Sequence, residues 1–421
     1  MELDYGTQTY RLNIPAGRVI ADIKALPSPD DVNPHEIIRA ALDCIGSALE
    51  SCRPSERVVI VTSDITRYTG SDVYLPLLME RLNAAGVRDD DIEVVVALGI
   101  HRRQTDQEHQ KIMGEIYGRI RVADHDCEDP GKLVYLGKTS AGIEVEVSRK
   151  VVEADRLILT GVIGFHYFAG FGGGRKSLLP GVASRKSCMA SHFAVLNPGA
   201  GSGRNLRATT GVLEGNPVHQ AMVEACAMVG PDFILNTVLS PDKRIIAAFA
   251  GDWREAHLAG CRFYAERFSY SIDQLADLVV VSCGGFPKDI NFIQAHKAME
   301  YGSRALRDGG VMVLLAECRD GYGNATFFDW FRFRDLREFE TELRKRYEIN
   351  GQTAFATLDK AQRFRVILVS ALPPEEVATM GMVPAKTLDE AMEKAEKLLP
   401  ENYSAYVIPQ GGTVLPVSAS S

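Results

Sequence analysis

The chain has 421 residues, enough for two or three domains, and its 47 Lys and Arg against 55 Asp and Glu give a formal net charge of −8. This balance argues against nucleic acid or an anionic membrane surface as the main partner. The eight scattered cysteines, the absence of a signal-peptide pattern and the lack of a long apolar run lead us to expect a soluble, cytoplasmic protein with no membrane segment.

Short β-branched runs alternate with amphipathic stretches of helical period. Five runs nearly continuous in Val, Ile and Leu predict strands with helices on both faces, at residues 58–62, 92–98, 156–163, 278–282 and 311–316. Thr105 and Glu108 have the spacing of a capping box that opens a helix after the second run. The alternation predicts an α/β fold with largely parallel, helix-covered sheets.

The strand–helix series begins anew after a helix-like segment near residues 253–271. We therefore predict an N-terminal α/β domain over residues 1–270 and a C-terminal α/β domain over residues 271–421, with the active site in the cleft between them. By composition, residues 197–204 are predicted to form a mobile surface loop, and residues 411–421 a frayed end.

Polar residues follow the first two predicted strands, where open α/β sheets bind their ligands. Asp64 and Thr66 are suited to cap the next helix, and Arg67 offers a planar donor fork to a carboxylate or phosphate. His101 would face the same crevice as Arg67, although a lone histidine after a strand is more often structural than catalytic.

The densest polar group follows the third strand. Residues 170–177 have the length of a P-loop, but Arg175 stands where the motif requires glycine, and the dinucleotide fingerprint fails at the same residue. A Gly-rich turn with Arg175, Lys176 and Ser177, next to His166, is suited to hold a phosphate-bearing cofactor; the alternative is a flexible loop.

A candidate metal pair follows this loop. With Ser184 as N-cap, Cys188 and His192 fall at i and i+4 on one helical face, a spacing at which they could share a soft metal such as nickel or zinc. Two candidate ligands do not define a metal site by spacing alone.

A polar helix face is predicted in the second half of the chain. The helix that we expect to start at Asp289 carries Asn291, Gln294 and Lys297 at three-residue steps, and such a face is either solvated or turned into a cleft. Together with the polar residues that follow the earlier predicted strands, this helix face suggests one cationic pocket for a small carboxylate. Its members would be Arg67, His101, His166, Lys176, His192 and Lys297.

Residues 164–181, continuing to His192, resemble the central signature of the nickel-pincer-nucleotide-dependent lactate racemases, a family of 2-hydroxy-acid racemases and epimerases. Residues 64–67, 99–102 and 291–297 resemble that family's other motifs in the family's order. The resemblance covers most of the chain, from residue 12 to the region of residue 330.

The resemblance implies a nickel-pincer nucleotide, a nicotinic-acid-derived mononucleotide anchored at Lys176 through a thioamide, with His192 completing the coordination of its nickel. His101 and His166 would be the catalytic bases on opposite sides of the substrate, and Arg67 would polarise the reacting oxygen. One base removes the hydroxyl proton while hydride moves from the 2-carbon to the cofactor, and the planar 2-keto acid takes hydride back on either face.

The resemblance also implies other contacts and partners. We assign Gln294, Lys297, Arg67 and Trp330 to substrate binding. Cofactor contacts are assigned to Lys176, Asp64, Thr66, Gly173, Gly174, Arg175 and Ser177. Cofactor-biosynthesis enzymes are implied partners, and a homodimer is one possible assembly. Because Ile293 stands where lactate-specific members carry a tyrosine, the substrate is open among lactate, malate and larger or aldonic 2-hydroxy acids.

We therefore expect an isomerase, a 2-hydroxy-acid racemase or epimerase that works by reversible proton-coupled hydride transfer. Two other functions stay open. A phosphate-binding transferase or kinase would use the loop 170–177, against which Arg175 and the lack of an acidic magnesium motif count. A non-catalytic hydroxy-acid-binding protein of the same fold would not need His101, His166 and Lys176 together.

Overall fold

A computed structural model describes residues 1–27, 29 and 32–419. Its backbone contacts divide the chain into two compact units. Unit 1 consists of Met1–Leu26, Pro198–Gly203 and Glu266–Ser421, and unit 2 of Pro27–Asn197 and Arg204–Ala265. None of the helices in the described ranges combines the length and apolar composition needed to cross a bilayer.

Strands and helices alternate along both units. The strands are β1 (Glu2–Tyr5), β2 (Gln8–Arg11), β3 (Val19–Asp22), β4 (Val58–Ser63), β5 (Ile92–Ala97), β6 (Arg121–Asp124), β7 (Leu133–Lys138), β8 (Glu144–Ser148), β9 (Arg156–Ile163), β10 (Phe165–His166), β11 (Gly170–Phe171), β12 (Phe233–Leu239), β13 (Ile245–Gly251), β14 (Ser269–Ile272), β15 (Ala276–Ser282), β16 (Leu306–Leu315), β17 (Arg365–Val369), β18 (Val383–Ala385), β19 (Ala405–Ile408) and β20 (Leu415–Ser418). The α-helices are α1 (Pro34–Asp43), α2 (Gly46–Glu50), α3 (Ser71–Ala84), α4 (Asp106–Met113), α5 (Arg149–Val152), α6 (Arg175–Leu178), α7 (Arg185–Phe193), α8 (Pro217–Val229), α9 (Glu255–Phe268), α10 (Phe292–Gly302), α11 (Leu336–Lys345), α12 (Ile349–Arg363), α13 (Pro374–Thr379) and α14 (Leu388–Glu396).

Unit 2 is built on a six-stranded sheet in the order β13-β12-β9-β4-β5-β6, parallel except for β13 at one edge. Successive residues of a strand face opposite sides, so Ile60 packs in one hydrophobic cluster with helix α3, and Val61 in another with helices α6 and α8. Both faces of the sheet are thus covered, which explains why its strands read as nearly continuous apolar runs.

Unit 1 is built on a second six-stranded sheet, in the order β18-β17-β16-β15-β19-β3, in which all neighbours are parallel. Helix α14 buries its apolar side against β15, β16 and β17. Leu3 of β1 and Leu12, which follows β2, belong to the same core. The predicted strands of both units agree with the structure; the largest difference is at the start of β16, which begins five residues earlier than the predicted 311.

The two compact units are discontinuous in sequence, whereas the sequence analysis predicted two domains with a single boundary at residue 270. Strand β3 pairs with β19, so residues 1–26 belong to the same unit as the C-terminal half. The three N-terminal strands have only four residues each, too few to show a period, which is why the hydrophobic pattern did not indicate them.

The prediction of a frayed tail is corrected. Residues 415–418 form β20 and pair in parallel with β14, so this part of the tail is not frayed; residues 420 and 421 lie outside the described chain. The backbone N–H groups of Gly201 and Gly203 donate to the carboxylate of Glu340 at 3.1 and 2.9 Å. The predicted loop at residues 197–204 is thus on the surface at residues 198–202, and two of its amides bind the buried Glu340 side chain of unit 1; its mobility stays a prediction.

Candidate active site

Three neighbouring strands of unit 2 end at one edge of its sheet. The order β9-β4-β5 places the three carboxyl ends side by side. Asp64 and Arg67 follow β4, His101 follows β5, and His166 ends the short strand β10 just after β9. Parallel pairing therefore brings together these side chains, which the sequence analysis identified because each follows a strand.

Asp64 and His101 form a hydrogen-bonded pair. The Asp64 carboxylate is 2% exposed; its Oδ2 lies 2.5 Å from His101 Nδ1, and its Oδ1 accepts from the Thr66 amide and hydroxyl at 3.1 and 2.6 Å. Burial by itself raises the pKa of Asp64, but the hydrogen bonds from His101 and Thr66 outweigh it and hold that pKa below its usual value. The ionised carboxylate keeps a proton on His101 Nδ1, which leaves Nε2 with its lone pair.

This pairing gives Asp64 and Thr66 a role other than helix capping. The next helix, α3, begins at Ser71 with Gly70 at its N-cap, so neither residue caps it. Because both Asp64 oxygens already accept hydrogen bonds within the protein, its carboxylate is placed to orient His101.

Lys176 lies in the short helix α6, and its Nζ is 3.1 Å from His166 Nε2 and 5.7 Å from the centre of the Phe168 ring. Burial lowers the pKa of the Lys176 amine well below its usual value, and the guanidinium groups of Arg67 and Arg175 lower it further. A lowered pKa increases the fraction of the amine that is uncharged and available as a nucleophile.

His192 lies on α7, whose N-cap is Ser184 as predicted. Its Nδ1 donates to the carbonyl oxygen of Cys188 at 2.8 Å, so Nε2 carries the lone pair that a metal would need. Burial, together with the nearby Lys176, lowers the pKa of His192 to about 3, so its ring is neutral. Burial raises the pKa of Cys188 to about 12, which keeps it a thiol and makes it a packing residue.

The described residues contain no group of three or more His, Cys, Asp and Glu side chains that could hold a metal ion. His192 therefore offers a single protein ligand. Any metal bound there needs most of its coordination from another molecule, as a metal-bearing cofactor would provide.

The Gly-rich segment lies tightly against the sheet. A Cβ on Gly161 of β9 would come within 2.8 Å of the Gly174 nitrogen, and a Cβ on Gly173 within 2.7 Å of the His257 ring. The Gly174 amide donates to Asn236 of β12 at 2.7 Å. These glycines allow close packing, and the Gly174 amide is directed inward, which does not suit the open phosphate cradle of a P-loop.

Arg175 and Ser177, assigned to the cofactor from the sequence, face the interior of unit 2. The Arg175 guanidinium is 0% exposed and donates to His219 Nδ1 at 3.0 Å, with His257 Nε2 only 2.8 Å away. It also donates to the loop carbonyls of Ala169, Phe171 and Gly172. The Ser177 hydroxyl donates to the Thr160 carbonyl at 2.6 Å. Arg175 thus fixes the loop that carries Lys176.

His219 and His257 were missed by sequence reasoning. They lie on helices α8 and α9, more than 40 residues from Arg175 in sequence, and only the packing of those helices brings them to its guanidinium. Their positions within helical patterns carry no signal that distinguishes them from other buried polar residues.

In unit 1, Gln294 and Lys297 are exposed on α10, and Lys297 Nζ donates to Gln294 Oε1 at 3.3 Å. The predicted shared face is therefore present. The helix begins at residue 292 with Asn291 as N-cap, whereas Asp289 is buried and accepts backbone N–H groups, so the predicted helix start at Asp289 is wrong.

Trp330, assigned to the substrate from the sequence, is a core residue. Its ring is 2% exposed and stacks on Phe339 with centroids 5.4 Å apart, while its Nε1 donates to Glu348 at 3.2 Å. A side chain enclosed in this way has no surface left for a substrate, and we withdraw that assignment.

Comparison with known proteins agrees with the resemblance along the whole chain. Residues 5–203 match the lactate racemase N-terminal domain, and residues 272–416 the lactate racemase C-terminal domain. The chain is 33% identical over 439 residues to a lactate racemase of Thermoanaerobacterium thermosaccharolyticum, covering 99% of this chain and 98% of that one. It is 35% identical over 433 residues to a lactate racemase of Lactiplantibacillus plantarum, covering 98% of each.

Solved structures share this fold. The lactate racemase apoprotein of Thermoanaerobacterium thermosaccharolyticum matches 99% of both chains, with a TM-score of 0.87 and 32% identity. A Thermotoga maritima protein with 18% identity and a TM-score of 0.65 shares the fold, covering 93% of this chain and 100% of its own. The matched domains, the near-full-length identities and the common fold together place this chain in the lactate racemase family of isomerases.

Proposed function

We propose that the protein racemises lactate, with His101 and His166 transferring protons while hydride leaves and returns to the 2-carbon of the substrate. The observation that supports this most directly is the meeting of two pairs at one sheet edge: the Asp64–His101 pair and the Lys176–His166 pair. One provides a base with a fixed proton, and the other provides a lysine amine beside a second histidine.

The donor set fits a nickel-pincer nucleotide. Lys176 would hold it covalently through its neutral amine, and His192 would bind its nickel through Nε2. When bound, this cofactor supplies a nickel-tuned ring carbon that takes up and returns hydride. Arg175 and the glycines beneath it would act indirectly, by fixing the backbone that positions Lys176.

The protein's own residues perform the proton chemistry. His101 accepts the hydroxyl proton at Nε2, and the buried Asp64 carboxylate stabilises the imidazolium that results. Arg67 is exposed after β4, where its guanidinium would bind the reacting oxygen as negative charge develops on it. His166 would exchange the proton for the opposite enantiomer, since inversion requires proton transfer on two faces.

Substrate selection would depend on α10. Gln294 and Lys297 present an amide and an ammonium group suited to a carboxylate, and we propose that they bind the acid end of the substrate. Their neighbour Ile293 gives an aliphatic side chain where a tyrosine is expected in lactate-specific members. Malate, phenyllactate and aldonic acids therefore belong in the assay beside lactate.

The test uses protein co-expressed with enzymes that make the cofactor. We expect a mass increase located at Lys176, bound nickel, and interconversion of D- and L-lactate in a chiral assay. Lys176→Ala should lose all three, because no other group replaces the amine.

The matched control is Lys186→Ala, which removes an exposed lysine that pairs with Glu144 and should leave all three unchanged. Racemisation by Lys176→Ala would overturn the covalent anchor. Nickel-loaded, modified protein that racemises none of the acids would overturn the proposed function.

A further inference from the structure

Both ring nitrogens of His166 have partners in unit 2. The backbone N–H of Ala169 donates to His166 Nδ1 at 3.2 Å, and His166 Nε2 lies 3.1 Å from Lys176 Nζ. A ring nitrogen that accepts a hydrogen bond carries no proton, and a neutral imidazole carries its single proton on the other nitrogen. The proton of His166 is therefore on Nε2, directed at Lys176.

The direction of this bond determines the state of the lysine. A protonated Lys176 has three N–H donors and no lone pair, so it would place donor against donor at 3.1 Å. An uncharged amine has a lone pair and accepts. The hydrogen bond therefore runs from His166 Nε2–H to Lys176 Nζ.

We propose that His166 has a role before catalysis: in the cofactor-free chain it donates to Lys176 and holds it as an uncharged, oriented nucleophile for covalent attachment of the cofactor. The hydrogen bond itself does not depend on the proposed function; only the identity of the group that becomes attached rests on it.

The surroundings of Lys176 favour the same state. Arg67 faces it from the segment after β4, Arg175 precedes it on α6, and Cys188 and His192 approach from α7. The two guanidinium groups are cationic, while Cys188 is a thiol and His192 a neutral ring, since their pKa values are shifted to about 12 and about 3. None of these four groups supplies a negative charge that would stabilise an ammonium ion.

The two active-site histidines are then opposite tautomers. His101 carries its proton on Nδ1, where the Asp64 carboxylate accepts it, whereas His166 carries its proton on Nε2. Formation of the thioamide would join Lys176 Nζ to the thiocarboxylic carbon of the cofactor and release the oxygen of that carbon with two protons as water. The thioamide nitrogen has no basic lone pair, so this hydrogen bond would then be lost. Anchoring of the cofactor would thus release His166 Nε2 for the substrate.

The tautomers can be observed directly in full-length protein from a host without the cofactor pathway. In ¹⁵N NMR spectra at pH 7.5 we expect the His166 ring to show a protonated Nε2 and an unprotonated Nδ1, and the His101 ring the reverse. Signals are assigned by their loss in His166→Asn and His101→Asn. A His166 ring with its proton on Nδ1 would overturn the proposal.

Reactivity gives a second test in the same cofactor-free protein. With p-nitrophenyl acetate, the Lys176 Nζ–C bond forms, the ester C–O bond breaks, p-nitrophenolate leaves and the amine proton passes to solvent. Peptide mass spectrometry from pH 6 to 10 should show faster acetylation at Lys176 than at the exposed Lys186 near pH 7, since Lys186 pairs with Glu144, which raises its pKa.

His166→Ala should slow acetylation of Lys176 at pH 7 about tenfold and move its pH midpoint upward, the effect of losing one hydrogen bond to the neutral amine. His35→Ala, at an exposed position of α1, is the control and should leave the midpoint in place. A midpoint that falls or does not move in His166→Ala would show that the lysine donates to the histidine, and would overturn the proposal. Neither test uses the cofactor, so failure here is distinguishable from failure of the racemase assay.

Discussion

At the scale of single residues, the orientation of His101 depends on Asp64. Asp64 Oδ2 accepts a hydrogen bond from His101 Nδ1–H, and Asp64 Oδ1 accepts hydrogen bonds from Thr66. The carboxylate therefore cannot rotate without losing hydrogen bonds on both sides. In Asp64→Asn an amide N–H would face His101 Nδ1 in one orientation and lose the Thr66 contacts in the other. The base that we propose at His101 would then be present in the wrong tautomer or the wrong position.

We predict that Asp64→Asn lowers kcat about 100-fold and changes KM little, because the variant alters the proton on His101 and removes no group that holds the substrate. Steady-state kinetics of the cofactor-loaded variant in both directions measure this. Asp89→Asn, which weakens a surface pair with Arg119, is the control and should keep kcat within about twofold. A kcat near that of the unchanged protein, or a loss confined to KM, would contradict the orienting role.

Sequence reasoning identified residues by their place after strands and did not show where their side chains point. The neighbouring parallel strands β9, β4 and β5 end at the same edge of the sheet. This arrangement places Arg67, His101 and His166 close together. Arg175 follows the same Gly-rich segment, yet its guanidinium turns inward to His219, which is far away in sequence. That direction depends on how the helices pack, a property that local spacing does not carry.

At the scale of elements, the Gly-rich segment is held by the two strands beneath it. A methyl group on Gly161 of β9 would lie 2.8 Å from the nitrogen and 3.0 Å from the Cα of Gly174, and backbone atoms cannot turn aside as a side chain would. Any larger residue at 161 must therefore lift the segment, and Lys176 with it.

Gly161→Ala should lower the free energy of unfolding by about 1–3 kcal/mol and reduce covalent loading of Lys176. Urea denaturation and peptide mass spectrometry measure the two effects. Gly46→Ala, in α2 of the same unit, is the matched control because a Cβ there meets no atom within 4 Å. We expect Gly46→Ala to be neutral or slightly stabilising, as for a glycine in a helix. Equal stability of the two variants would contradict close packing of the segment on β9.

Elements were predictable where the hydrophobic pattern is long and uniform. Strand β9 has the predicted limits, and the capping box at Thr105 is present at the start of α4. Strands of four residues were not predicted. Strand β3 at the sheet edge and strand β20 in the tail form by pairing with strands that are distant in sequence. Short segments of this kind carry too few apolar residues to show a period.

At the scale of the whole molecule, most of the buried and half-buried histidines lie in unit 2, whereas unit 1 has the buried His296, and this gives the two units different responses to acid. His125, His192, His219 and His257 all belong to unit 2, and burial is the first cause that lowers the pKa of each. For His192 and His219 the value falls to about 3, while an unfolded histidine titrates near 6.5. Below pH 6.5 the unfolded chain therefore binds protons that the folded unit excludes.

This difference in proton binding makes the free energy of unfolding depend on pH. Between about pH 6.5 and 3 the unfolded state holds more protons, so the free energy of unfolding falls as the pH falls, by up to about 1.4 kcal/mol per pH unit for each such histidine. The stabilising effect of keeping these rings neutral is fully present above pH 6.5. We predict that acidification from pH 8 to pH 5 destabilises unit 2 more than unit 1.

Hydrogen–deuterium exchange of the cofactor-free chain at pH 8 and pH 5, corrected for the intrinsic pH dependence of exchange, measures each unit separately. Protection should fall more in peptides from β4, β9 and β12 than in peptides from β15 and β16. His219→Gln, which keeps an acceptor for Arg175 but does not titrate, should reduce the loss in unit 2 by roughly 1–2 kcal/mol, since one proton-binding group is removed. His35→Gln, at an exposed position of α1, is the control and should leave the loss of stability in unit 2 unchanged. Equal losses in the two units, or an unchanged loss in His219→Gln, would show that the acid response has another origin.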